Sequence, residues 1–96
     1  MIQVNGKKIS DISELAVMSG LTELDLSNQK FFDLGVLTLH TDLVNLNLSN
    51  NDIFDISALT VLTKLKELDL RGNPIDEKQI AKLRAALPNT NILFGN

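Results

Sequence analysis

A 22-residue period constrains this chain more than any other feature. With Leu21, Leu43 and Leu65 set under one another, Leu24, Leu46 and Leu68 align, then Leu26, Leu48 and Leu70, with no slip in register. Phe31, Ile53 and Ile75 align next, followed by Leu34 with Ile56 and Leu37 with Leu59. Self-similarity at a fixed short period means stacked units, none of which can bury its apolar face alone. Ile2, Val4, Ile9, Ile12, Leu15 and Met18 fall into the same columns, so the frame predicts that the protein starts partway through a repeat.

Within each unit the apolar period changes. In Leu43-Val44-Asn45-Leu46-Asn47-Leu48-Ser49 it is two, which places Leu46 and Leu48 on a buried face and Asn45, Asn47 and Ser49 on a wet one, as a half-buried strand requires. Beyond Asn50-Asn51 it becomes three, through Ile53, Ile56, Leu59 and Leu62, which suits a 3₁₀ or irregular helical return. Gly6, Asn28, Asn50 and Gly72 share the turn position between the two, and are residue types that tolerate a left-handed backbone. Stacking such units predicts strands paired in parallel. Asp11, Asp33 and Asp55 precede the helical segments and are read as caps for free N–H groups, since a single column of carboxylates supplies too few oxygens for calcium.

The C-terminal end needs a lid. Asp76-Glu77-Lys78-Gln79 reads as a capping box, with Ile80, Leu83 and Leu87 at helical spacing behind it, and Pro88 stops the helix. A last short strand follows, with Ile92 and Phe94 on its core face and Asn91 on its wet face.

Leu43 to Ile53 reads L-x-x-L-x-L-x-x-N-x-I and the stretch from Asp55 reads D-I-x-x-L-x-x-L. The chain thereby resembles the 22-residue leucine-rich-repeat class of the SDS22-like proteins and the internalins, over essentially its whole length and in bacterial style at Leu83 to Phe94. The resemblance implies an α/β right-handed solenoid, with a short parallel sheet on the concave face, a 3₁₀ or irregular convex side and a C-terminal capping helix. A single domain 1–96 is then divided into an N-terminal partial repeat 1–20, repeats 21–42, 43–64 and 65–75, and a cap 76–96. The family's asparagine ladder maps onto Asn51 and Asn73; Gln29 keeps an amide on a longer stem, and Lys7 departs from the pattern. Membership implies protein recognition on the concave face.

The wet strand positions name that face. They are Gln3 and Asn5, then Glu23, Asp25 and Ser27, then Asn45, Asn47 and Ser49, then Glu67, Asp69 and Arg71. Gln3, Asp25, Asn47, Asp69 and Asn91 are expected to form one column. Phe32 and Phe54 share the position after the core residues Phe31 and Ile53, and form either a patch for a partner or an edge pair partly buried against each other.

Other classes find little support. The chain has no cysteine and one histidine, His40, in a column where Met18 and Leu62 are apolar; either His40 or its neighbour Leu39 is turned inward. No nucleophile and base pair, phosphate loop or metal cluster is legible, so no catalysis, cofactor or metal is expected. Net charge is −3, divided as −5 over residues 1–62 (three Lys against eight acids) and +2 over 63–96 (six Lys or Arg against four acids). The basic end lacks interleaved aromatics, so nucleic acid is not expected as a partner. No apolar run approaches membrane-helix length and Met1 to Lys8 does not read as a leader. The expectation is a cytoplasmic protein-binding scaffold, monomeric or weakly self-associating, with a structural segment of a larger surface or secreted repeat protein as the alternative.

Overall fold

The computed structural model describes residues 2–4, 7–9 and 12–95, with backbone only for 2, 4, 7–9, 12 and 13. Readings that fall on Asn5, Gly6, Asp11 and the side chains of Ile2, Val4, Lys7, Ile9 and Ile12 lie outside what is described.

One six-stranded sheet runs through the molecule in the order β2-β1-β3-β4-β5-β6, made by β1 (Ile2–Val4), β2 (Lys7–Ile9), β3 (Glu23–Asp25), β4 (Asn45–Asn47), β5 (Glu67–Asp69) and β6 (Asn91–Leu93). β3 to β6 are parallel. Between them the chain returns through 3₁₀ segments Leu34–Leu39 and Ser57–Val61, and finally through α1 (Glu77–Ala86); a further 3₁₀ segment, Ile12–Val17, precedes β3. The molecule measures 32 × 24 × 19 Å.

The alternation seen in the sequence is the reason the strands pack as they do. Leu24, Leu46, Leu68 and Ile92 project inward from β3 to β6 and are at most 5% exposed. They meet Leu34, Leu37, Ile56, Leu59, Ile80 and Leu83 from the return segments in one continuous core. At the turn position shared by Asn28, Asn50 and Gly72 the backbone is left-handed, with φ of 59°, 56° and 74°. Glycine is required at the third of these, because a Cβ on Gly72 would lie 2.2 Å from Asn50 Oδ1 and 3.3 Å from Asn50 Cα.

The N-terminus departs from the repeat frame. β1 is antiparallel to β3, pairing Gln3 with Asp25 and Val4 with Leu24, and it hairpins onto β2, pairing Val4 with Lys7. Val4 therefore stands opposite Leu24, where the frame aligned it with Leu26. Only Asn5-Gly6 separates Val4 from Lys7 in sequence, and a parallel pair needs a crossover of a dozen or more residues. Asn-Gly is also the dipeptide favoured for two-residue hairpin links.

The C-terminal register shifts by two. Asp69 pairs with Leu93 and Glu67 with Asn91, so Leu93, and not Asn91, completes the column of Gln3, Asp25, Asn47 and Asp69. The cause is the return segment: the α-helix that replaces a 3₁₀ turn makes the last interval, from Asp69 to Leu93, two residues longer than the 22-residue spacing of the earlier strands. Ile92 is buried and Phe94 packs partly buried against the core.

Asp76 caps α1, accepting the backbone N–H of Lys78 at 2.6 Å. The capping box is not completed. Gln79 reaches instead to the previous repeat, where Oε1 accepts the N–H of Ile56 at 3.0 Å and Nε2 donates to the carbonyl of Phe54. Its amide thus fastens the lid helix to the solenoid.

Candidate functional site

β3 to β6 each send residues outward on either side of a buried leucine or isoleucine, and neighbouring strands, about 4.8 Å apart, stack these into two columns along the solenoid. One column is Glu23, Asn45, Glu67 and Asn91; the other is Gln3, Asp25, Asn47, Asp69 and Leu93. All of these but Asn91 line an open trough of about 410 Å³. Its rim residues Glu23, Asn45 and Glu67 are exposed, as is Asn91 beyond it, whereas Asp25, Asn47 and Asp69 are half-buried.

The half-buried column has a structural task. Asp25 Oδ1 accepts from the backbone N–H and hydroxyl of Ser27 at 2.9 and 2.6 Å, and Asn47 Oδ1 accepts from the same groups of Ser49 at 3.0 and 2.7 Å. Asp69 Oδ1 accepts the N–H of Arg71 at 3.1 Å. These side chains end the strands by bonding two residues ahead, where the ladder has no partner to offer. Serving the same turn with Asp and Asn shows that it requires the oxygen and not the charge.

Electrostatics divides the trough. At its C-terminal end Arg71 grips Asp69 with two bonds, Nε to Oδ1 at 3.0 Å and a terminal nitrogen to Oδ2 at 2.7 Å. That guanidinium holds the Asp69 carboxyl below the usual carboxylate range. Glu67 accepts from the Asn91 amide at 2.9 Å, and Leu93 adds apolar surface beside them. The N-terminal end carries Glu23 and Asp25 among the amides of Gln3, Asn45 and Asn47. Of the concave residues expected from the sequence, Gln3, Glu23, Asp25, Asn45, Asn47, Glu67 and Asp69 line this face; Ser49, read as wet, is 8% exposed because its hydroxyl and N–H turn back to Asn47, and it lies with Arg71 along a separate groove at the strand ends.

The amide residues of the turns sit beneath this face. Asn51, 5% exposed, accepts at Oδ1 from the N–H groups of Gln29 and Phe31, both at 2.9 Å, and donates through Nδ2 to the carbonyls of Leu26 and Leu48, also at 2.9 Å. Asn73 repeats the pattern one unit later with Asn51, Ile53, Leu48 and Leu70. Gln29 differs, its amide donating only to the nearby Ser27 carbonyl among the described residues.

On the other side of the solenoid, Asp33 Oδ1 accepts the N–H of Gly35 at 3.0 Å, and Asp55 Oδ1 accepts from the N–H and hydroxyl of Ser57 at 3.0 and 2.8 Å. The Ser57 bonds keep the Asp55 carboxyl low in pKa. Phe32 and Phe54 are 58% and 61% exposed, so neither is buried against the other. His40 is the inward residue of its pair, 5% exposed with Nε2 2.8 Å from the Leu15 carbonyl oxygen, while Leu39 is exposed. An oxygen acceptor there places the ring proton on Nε2.

Two surface features were not anticipated from the sequence. Leu93 enters the trough through the two-residue shift, and Val17, Leu39 and Val61, one repeat apart in sequence, are exposed apolar residues. Their 22-residue spacing was the available signal. Among the described residues no cluster of His, Asp or Glu could hold a metal ion, and no helix is long and apolar enough to cross a membrane.

Comparison with known proteins agrees with this architecture. The family model for leucine-rich repeats (2 copies) matches residues 41–85. No curated protein gives a significant match. Among solved structures, an internalin (InlF) from Listeria monocytogenes is similar at 34% identity and a TM-score of 0.79, aligned over 93% of this chain and 26% of that one. This chain therefore spans about a quarter of that internalin's length. Leucine-rich-repeat domains are generally protein-interaction scaffolds and typically non-enzymatic. Its repeats, its solenoid and these matches together support a leucine-rich-repeat family of internalin-like, bacterial type.

Proposed function

We propose that this chain is a non-catalytic scaffold that binds a partner protein in the concave trough. The observation that carries the reading is the open sheet face itself, on which polar side chains flank exposed leucine surface. Glu23, Asn45 and Glu67 project from adjacent parallel strands in register, with Asp25, Asn47 and Asp69 beside them and Arg71 bonded to Asp69. A partner loop or helix laid across the trough meets three full repeats of hydrogen-bonding groups on a rigid floor of buried leucines. The carboxylate pairs Glu23 and Asp25, and Glu67 and Asp69, stand on an open face, and Asp69 is kept ionised by Arg71. That arrangement favours recognition over acid catalysis, and neither a cofactor nor a metal enters the proposal. Protein is the proposed partner class, with no nucleic acid or membrane, and the chain is proposed to act as a monomer.

The test is a pull-down from native host lysate with wild type and with a Glu23→Gln, Asn45→Ala, Glu67→Gln variant of verified stability. These rim residues lie outside the Asx bonds that end the strands, so the variant is expected to keep its fold and lose the captured protein. Equal capture by both would reject the trough. A second reading, a structural segment of a longer repeat protein, is favoured by the alignment covering 26% of the internalin. It predicts capture by neither.

A further inference from the structure

The groove between the starts of the two central return segments is independent of the trough. Phe32 and Phe54, one repeat apart, both line it, together with Asp33, Asp55, Gly35 and Ser57, around a volume of about 310 Å³. Two phenylalanines 58% and 61% exposed at one repeat position are apolar surface that the core does not use. Aromatic rings present an electron-rich face that attracts cations. Both flanking carboxylates are negative groups without a counter-charge: the ion pairs among the described residues are Lys64 with Asp42 and Arg71 with Asp69. Each carboxylate also has an oxygen to spare. The Oδ1 atoms are occupied by the backbone N–H groups of Gly35 and Ser57, which fixes the carboxylates in place, while no hydrogen bond within the described chain uses Oδ2 of either. On the far side, the Gln79 amide holds the Phe54 carbonyl.

We propose that this groove is a docking site for an arginine side chain of a protein partner. Charge complementarity selects a cation, and the mixture of groups selects arginine. A planar guanidinium lies over an aromatic ring while its edge offers a fork of N–H donors to a carboxylate. The ammonium of lysine is compact and strongly hydrated, and cannot satisfy both surfaces at once. Gly35 leaves the rim of the first unit free of a side chain, giving the guanidinium an approach to Asp33.

The experiment is an amide NMR titration of the whole chain with the tripeptide acetyl-Gly-Arg-Gly-amide, and with its lysine and citrulline counterparts, each to millimolar concentration. The Gly35 and Ser57 amides are direct reporters because they donate to the two carboxylates. They are expected to shift severalfold more with arginine than with lysine and not to move with citrulline, which keeps the shape and loses the charge. The response is expected to vanish in Phe32→Ala with Phe54→Ala, and in Asp33→Asn with Asp55→Asn, which retains the capping oxygen and so the fold. Equal responses to arginine and lysine, a response to citrulline, persistence in either variant, shifts confined to the trough strands, or no shift at all would each overturn the proposal. None of these outcomes bears on trough binding, which the lysate experiment tests separately.

Discussion

Asn73 Oδ1 accepts the backbone N–H of Asn51 at 3.1 Å, so each ladder residue is held by the one that follows it. Asn51 in turn serves five backbone groups of the turns around it, and it is buried. Truncating it leaves those groups without partners in a site that water reaches poorly. Asn51→Ala is expected to destabilise the chain by about 3 to 5 kcal/mol, and Gln29→Ala, with its one local bond, by less than about 1 kcal/mol. Urea unfolding measures both, and comparable losses would show that Gln29 carries a full rung.

Two glycines with similar backbone angles separate strain from crowding. Gly20 has φ of 73° with nothing within 4 Å of the place a methyl group would take, whereas at Gly72 that place collides with Asn50. Gly20→Ala is expected to cost about 1 to 2 kcal/mol, the left-handed penalty alone. Gly72→Ala is expected to cost about 2 kcal/mol more, from forced overlap. Asn50→Gly in the Gly72→Ala background is expected to recover part of the difference in melting temperature, since Asn50 itself has positive φ and its side chain is the nearer obstacle.

Charge and fold can be separated at the half-buried column. Because Asn47 makes the same two bonds to Ser49 that Asp25 makes to Ser27, Asp25→Asn is expected to change stability by less than about 0.5 kcal/mol. Asp25→Ala, which removes the acceptor, is expected to cost about 1 kcal/mol. Chemical denaturation of the two variants checks this, and equal effects would assign the role to charge.

Acid is expected to weaken the fold through Asp69 and Asp55. Both carboxyls lie below their ordinary values, Asp69 chiefly through the Arg71 side-chain bonds and Asp55 chiefly through the Ser57 backbone bond. A depressed native pKa contributes stability above the unfolded value of about 3.9, and that contribution is lost as pH falls through the native pKa. Stability should therefore be level in this respect above about pH 5 and decline below about pH 4. Arg71→Gln should flatten the decline, which a melting series across pH would reveal.

Removing the Gln79 amide tests the lid. Gln79→Ala strands the Ile56 N–H and the Phe54 carbonyl, and is expected to cost about 2 kcal/mol. Hydrogen exchange is expected to quicken first in Glu77–Ala86, the element that the amide fastens.

The repeat alone determined most of this protein. Period two around Leu46 and period three after Ile53 specify which side chains must leave water, because the face each side chain takes is a local consequence of chain geometry. The same columns placed Asn51 and Asn73 in the turns and Glu23, Asn45 and Glu67 on one wet face. Tertiary structure decided what depends on direction and length. The direction of β1 cannot be read from columns, because Gln3 faces Asp25 in either orientation; the short Asn5-Gly6 link fixes only that β1 and β2 run antiparallel, and the pairing of β1 with β3 decides the rest. The place of Leu93 depends on the extra residues that an α-helix takes to cover the last repeat. Gln79, which would have closed a capping box in an isolated helix, turns to Ile56 and Phe54 because the neighbouring repeat offers unsatisfied backbone groups within reach. Likewise, which of Leu39 and His40 is buried follows from the Leu15 carbonyl, an acceptor supplied by the preceding unit. Packing between units, a long-range matter, selects among partners that neighbouring sequence positions leave open.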